Sequence, residues 1–170
     1  MTLVTHAVVG AAAASFVPDS PVIAFTLAFA SHFVMDAIPH WHYPVATIEH
    51  NKENPLNNDM RIDKQFPFDV AKIGFDALLG VALAYLFFQP SEGPLQPFVL
   101  IGALGGILPD PLQFVYWKFR HEPIATLQRL HVWIHAKTTL DDNAPLGVAL
   151  QVILIFTVLF LEKALPLAFW

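Results

Sequence analysis

The sequence contains no cysteine, so disulfides and thiolate metal ligands are excluded. Charge is also scarce: 14% of the 170 residues are Asp, Glu, Lys or Arg, where a soluble globular domain carries about a quarter. No basic cluster interrupts a net charge of −5, which argues against nucleic acid as a partner. The opening "MTLVTHAVVGAAAASF" lacks the basic start of a secretory signal peptide. It also carries His6 within its apolar run and reads as a retained helix. There is no His-Glu-x2-His, no Gly-x-Ser-x-Gly and no P-loop, so serine or cysteine nucleophile chemistry has no support.

Long apolar blocks are abundant. Hydrophobic residues make up 55% of the chain, and residence in a membrane is the first expectation. The first block, Leu3 to Phe16, ends at "VPDSP", where Asp19 or Ser20 can cap the next helix and Pro21 can occupy its first turn. That second helix is expected from Pro21 to about Ile38, stopping at Pro39, and the two form a helical hairpin. A polar loop with little regular structure follows, over about residues 42–66; loops this long are often functional. A third helix is expected from Pro67 to Phe88, then the linker "QPSEGPLQP". The apolar segment "FVLIGALGGILPDPLQFVYW" should break at "LPDP". A polar helix, "PIATLQRLHVWIHAK", precedes the last apolar one, "PLGVALQVILIFTVLFLEKAL". The expected fold is therefore a single all-α domain over residues 1–170: a multi-helix membrane bundle of four or five apolar helices and one polar helix. A span needs about 20 apolar residues. The last helix meets this outright. The third does so if Lys72 and Asp76 lie near one end, and the first two suit a shallow or re-entrant pair.

Lysine and arginine placement orients the bundle. Lys52, Arg61, Lys64 and Lys72 follow the second helix, Lys118, Arg120, Arg129 and Lys137 precede the last, and "QPSEGPLQP" carries none. Both large polar segments then face the cytoplasm of a bacterial-type inner membrane, with Lys163 a minor count against this. In that topology His6, Asp36, His40, Asp69, Asp76 and Asp110 lie at the inner ends of four helices, and His131 and His135 in the inner polar helix. The ionisable groups converge at one end of the bundle, which the charge count did not require.

Those groups suit metal chemistry. His32, Asp36 and His40 are spaced four residues apart in "ASHFVMDAIPHW", which places them on one helical face. His131 and His135 share that spacing, and Asp69 and Asp76 are seven apart. Facing helices with such pairs build mono- or dinuclear carboxylate–histidine sites. Without thiolates the donors suit a divalent metal, zinc by preference, as one or two ions. The candidate ligands are His6, His32, Asp36, His40, Asp76, Asp110, His131 and His135, with Asp36 and Asp110 as candidate catalytic carboxylates. A metal that activates water suits hydrolysis of an ester or phosphoester, and an interfacial position suits membrane lipid or a lipid-linked substrate. Plainer readings stand beside this one. His32–Asp36 can be a packing ion pair, Asp110 a helix cap, and Asp69 a dipole partner at the third helix's N-terminus. His6 can be a satisfied interfacial residue, and His131 and His135 can lie on a solvated face. His42, His50 and His121 read as solvated loop residues, and Trp41, Trp117, Trp133 and Tyr43 as interfacial anchors. The alternative function is a non-enzymatic structural, interaction or ion-handling membrane protein.

"THAVVG" (Thr5–Gly10), "SHFVMD" (Ser31–Asp36) and "GGILPD" (Gly105–Asp110) resemble signatures of the membrane-bound metal-dependent hydrolases sometimes described as LexA-binding and inner-membrane-associated. The resemblance covers about a quarter of the chain. It implies a small multi-helix membrane fold with His6, His32, Asp36 and Asp110 as site residues. The motif order differs: here Ser-His-x3-Asp precedes Leu-Pro-Asp, and "HVWIH" is the candidate counterpart of the family's His-Arg-Gly-x-Thr-His segment. The chain is more faintly similar to zinc-dependent phospholipase C and related single-strand nucleases, without their N-terminal Trp.

Overall fold

The structure, a computed structural model, describes residues 1–90 and 92–164. Helix α1 (Leu3–Ser15) is the hub. Around it pack α2 (Pro21–Asp36), α3 (Phe66–Phe88), α4 (Pro97–Ile107) and, more lightly, α7 (Ala144–Ala164). Because neighbours surround it, α1 is apolar all round, with Ala7, Val8, Ala11 and Ala14 fully enclosed. Prolines begin four of these elements as the sequence suggests: Pro21, Pro67, Pro97 and Pro109 each sit in a first turn, where the missing N–H costs nothing. The break expected at "LPDP" is present. Helix α5 (Pro109–Phe119) follows α4 directly, bent from it by 43°. The polar helix α6 (Ile124–Ile134) then crosses near the end of α2.

Two helices, α3 and α7, are long and apolar enough to cross a membrane, with mean hydropathies of 1.7 and 2.4. Counting the bent pair α4–α5 as one broken or re-entrant span makes three. Large apolar side chains on α3 and α7, among them Phe75, Leu78, Leu86, Phe156 and Phe160, point outward, as a lipid-facing surface requires. The hub α1 has 13 residues, about 20 Å of helix, and α2 is likewise short of a full span. The expected number of apolar helices therefore exceeds the number long enough to cross.

The polar loop is more ordered than its composition suggests. Strands β1 (Ile48–Glu49) and β2 (Asp59–Met60) pair antiparallel, with Ile48 opposite Met60, around a 3-10 turn at Pro55–Asn57. Lys118 of α5 bonds the Asp59 carboxylate at 2.6 Å and the Met60 carbonyl, fixing this ribbon to the bundle. The last helix, expected to reach Leu165, is described to Ala164; Leu165, Ser91 of the linker and the end of the expected 1–170 domain lie outside the described residues.

Candidate metal centre

Close helix packing assembles the centre. Gly10, Gly102 and Gly106 let α1 and α4 touch through their backbones, and a Cβ on Gly106 would collide with the His6 carbonyl oxygen. This contact stacks the His6 ring on His32, centroids 3.9 Å apart. It also presents the Gly106 carbonyl to His32 Nδ1 at 2.8 Å. The C-terminal two turns of α2 contribute His32 and Asp36, the first turn of α5 Asp110, and the last turn of α6 His131. One ligand atom from each of these four residues lies within 4.8 Å of all the others.

Asp36 is the focus. Its Oδ2 lies 3.0 Å from His131 Nε2 and 3.1 Å from His32 Nε2. Its Oδ1 lies 3.1 Å from His6 Nε2, 3.6 Å from His40 Nε2 and 3.3 Å from the Met1 amine. The Gly106 carbonyl can only accept, so His32 carries a proton on Nδ1. In the neutral ring, Nε2 is then a lone pair. That lone pair faces the Asp36 carboxylate, His131 Nε2 at 3.4 Å and Asp110 Oδ1 at 3.6 Å. His6 is 1% exposed, yet neither of its ring nitrogens makes a hydrogen bond; the close approach of Nε2 to Asp36 is misaligned. A buried ring without a partner is costly, and a cation held among these nitrogens and carboxylate oxygens would give the free lone pairs of His6 and His32 a partner. The donor set therefore fits a divalent ion. Behind it, Gln128 Nε2 donates to Gln113 Oε1 at 3.2 Å, and Gln113 Nε2 to Asp110 Oδ1 at 3.0 Å. These amides, Gln113 half-buried and Gln128 buried, orient the carboxylate as outer-shell groups do.

A second group adjoins the first. After Pro39 the chain leaves the helix, and segment 136–140 runs beside it through Ala136 N to Asp36 O (2.8 Å) and Leu140 N to His40 O (2.9 Å). His40, His42 and His135 thereby offer ligand atoms within 4.8 Å of one another. Burial pushes the His40 imidazole down to about 3, with the nearby Met1 amine adding to the effect. Burial likewise lowers His42 and His135. A lowered pKa favours the neutral imidazole, the state that binds metals.

The chain matches no protein-family model, no characterised protein and no solved structure.

The structure thus brings together His6, His32, Asp36, Asp110 and His131, and beside them His40 and His135. It does not bring in Asp76. That carboxylate accepts from Leu3 N at 2.7 Å and Val4 N at 3.2 Å, capping the free N–H groups of α1. Asp69 accepts from Thr47 N and Oγ1 at 2.8 and 2.9 Å, tying the polar loop to α3. His131 and His135 do not aim at one point, because His135 lies just past the end of α6 and turns toward His40. His42, expected to be solvated, belongs to the second group; His50 and His121 are exposed. A sequence signal for His42 existed in its spacing two residues after His40, just past the helix stop at Pro39. Asp141, Gln113, Gln128 and Gln151 had no such signal.

Proposed function

We propose that the protein is a membrane-embedded metal-dependent hydrolase that cleaves an ester or phosphoester in a lipid-linked substrate, with zinc as the preferred ion. The observation that carries this reading is the buried His32–Asp36–Asp110–His131 group, whose ligand atoms lie within 4.8 Å of one another. His32, Asp36 and His131 would hold the ion, with His6 above them. A divalent ion supplies Lewis acidity and lowers the pKa of water. Asp110 keeps 27% side-chain exposure while Asp36 keeps 2%, so Asp110 faces the accessible side and is the group placed to take a proton from water. Asp36, enclosed by imidazoles, holds and orients.

A cavity of about 250 Å3 beside His40 supports a lipid-linked substrate. Ile38, Leu150, Ile153 and Leu154 line it, so its wall is α7, one of the two helices able to cross a membrane. The Lys and Arg pattern supports a cytoplasmic site in a bacterial-type inner membrane.

Hydrolysis of bis(p-nitrophenyl) phosphate, and of p-nitrophenyl acetate against p-nitrophenyl decanoate, tests this in inside-out and right-side-out vesicles carrying the protein. The expected result is turnover that a chelator abolishes and zinc restores, with a lower KM for the decanoyl ester. The anionic phosphodiester should be cleaved only by inside-out vesicles, and Asp36→Ala and Asp110→Asn should lower kcat at least 100-fold, about 2.7 kcal/mol of barrier. Absent turnover, or turnover indifferent to chelator and to both variants, overturns the reading.

A further inference from the structure

Three imidazoles outside the His32–Asp36–Asp110–His131 group share one feature: each already uses its Nδ1. His40 Nδ1 lies 2.6 Å from the Ile38 carbonyl, His135 Nδ1 3.0 Å from the Ala136 carbonyl, and His42 Nδ1 3.1 Å from Asp141 Oδ1. Carbonyl and carboxylate oxygens accept and do not donate, so all three protons sit on Nδ1. Each Nε2 is therefore a lone pair. The lone pairs of His40 and His42 face each other across 2.8 Å, with His135 packed against both rings, at 5.0 and 5.4 Å between centroids. Two neutral acceptors at that distance repel. Fixing the metal-binding nitrogen by engaging the other ring nitrogen is what outer-shell groups do at imidazole metal sites.

We infer that His40, His42 and His135 form a second metal centre, binding a zinc-type divalent cation through three imidazoles, with Asp141 orienting His42. Asp141 does this from two contacts, since its Oδ1 also accepts from the His42 backbone N–H at 2.8 Å. Three protein ligands leave a coordination position open, the pattern of reactive rather than structural zinc sites. His42 and His135 are only half-buried, so that position is reachable from outside. Asp36 links the centres through its 3.6 Å approach to His40. The inference does not require the hydrolase reading.

A Co2+ titration of the full chain in detergent, followed by visible absorption, tests it. His42→Ala and His135→Ala should each take up one ion fewer than the wild type. Asp141→Asn should keep the stoichiometry and lose about 10- to 100-fold in affinity. His50→Ala, at an exposed site, should change nothing. His42→Gln repeats the test with a side chain of similar size, and circular dichroism verifies folding. Unchanged uptake and spectrum in His42→Ala, His42→Gln and His135→Ala would overturn the inference and leave a proton-bridged histidine pair. His32→Ala keeps the readings apart: if it binds as the wild type does while the His42 variants lose an ion, the hydrolase centre fails and this one stands.

Discussion

Asp36 ends one apolar helix and Asp76 lies part-way along another, and their surroundings give them opposite roles. Imidazoles from α1, α2 and α6 surround Asp36, whereas Asp76 accepts from the backbone N–H groups that open α1. A carboxylate on such groups acts as a cap, and losing a cap costs about 0.5–2 kcal/mol. Asp76→Ala should therefore lower unfolding stability in detergent by about that amount while metal content stays at the wild-type level. Lost metal with unchanged stability would make Asp76 a ligand after all. The sequence sets His32 and His40 four residues on either side of Asp36, but nothing in it separated Asp76 from a ligand. Only the position of α1 against α3 assigns Asp76, and that contact joins residues more than 70 positions apart.

At the scale of elements, prolines and apolar blocks located every long helix, because those features act within a few residues of where they stand. The pairing of His32 with Asp36 was legible for the same reason, since helical spacing fixes it locally, and Asp110 joined them through the topology read from loop charges. The second histidine group depends instead on the 136–140 segment lying beside residues 36–40, and no local pattern encodes that. Tight packing of α1 on α4 is the element-level condition for the whole site. Gly106→Ala drives a methyl group into the His6 carbonyl, where backbone cannot yield as a side chain would. It should cost about 1–3 kcal/mol and weaken metal binding by pulling His6 from His32. Gly74→Ala in α3 meets nothing within 4 Å and should stabilise by about 0.5–1 kcal/mol, with metal binding unaltered. Urea unfolding and metal affinity measured on both variants separate the cases; equal responses would contradict the packing argument.

The whole molecule places its apolar and polar parts apart. Helices α3 and α7 carry exposed apolar surface, and six of the histidines, with Asp36 and Asp110, collect where α1 begins and where α2, α4 and α6 end. Gln151 holds α7 to that end: its Oε1 accepts from Thr2 N at 3.0 Å, and its Nε2 donates to the Trp41 carbonyl at 3.0 Å. A helix able to cross a membrane is thus bolted beside the candidate centre and walls the apolar cavity next to it. Apolar helix, cavity and centre form one arrangement, and its functional reading depends on the centre holding metal. Elemental analysis of the detergent-purified protein by mass spectrometry addresses this most directly. The account predicts stoichiometric zinc or a similar divalent metal in the wild type, lost from the His32–Asp36 centre in Asp36→Ala and His32→Ala. A wild type without stoichiometric metal, whose Asp36→Ala and His32→Ala variants fold as it does, would contradict it.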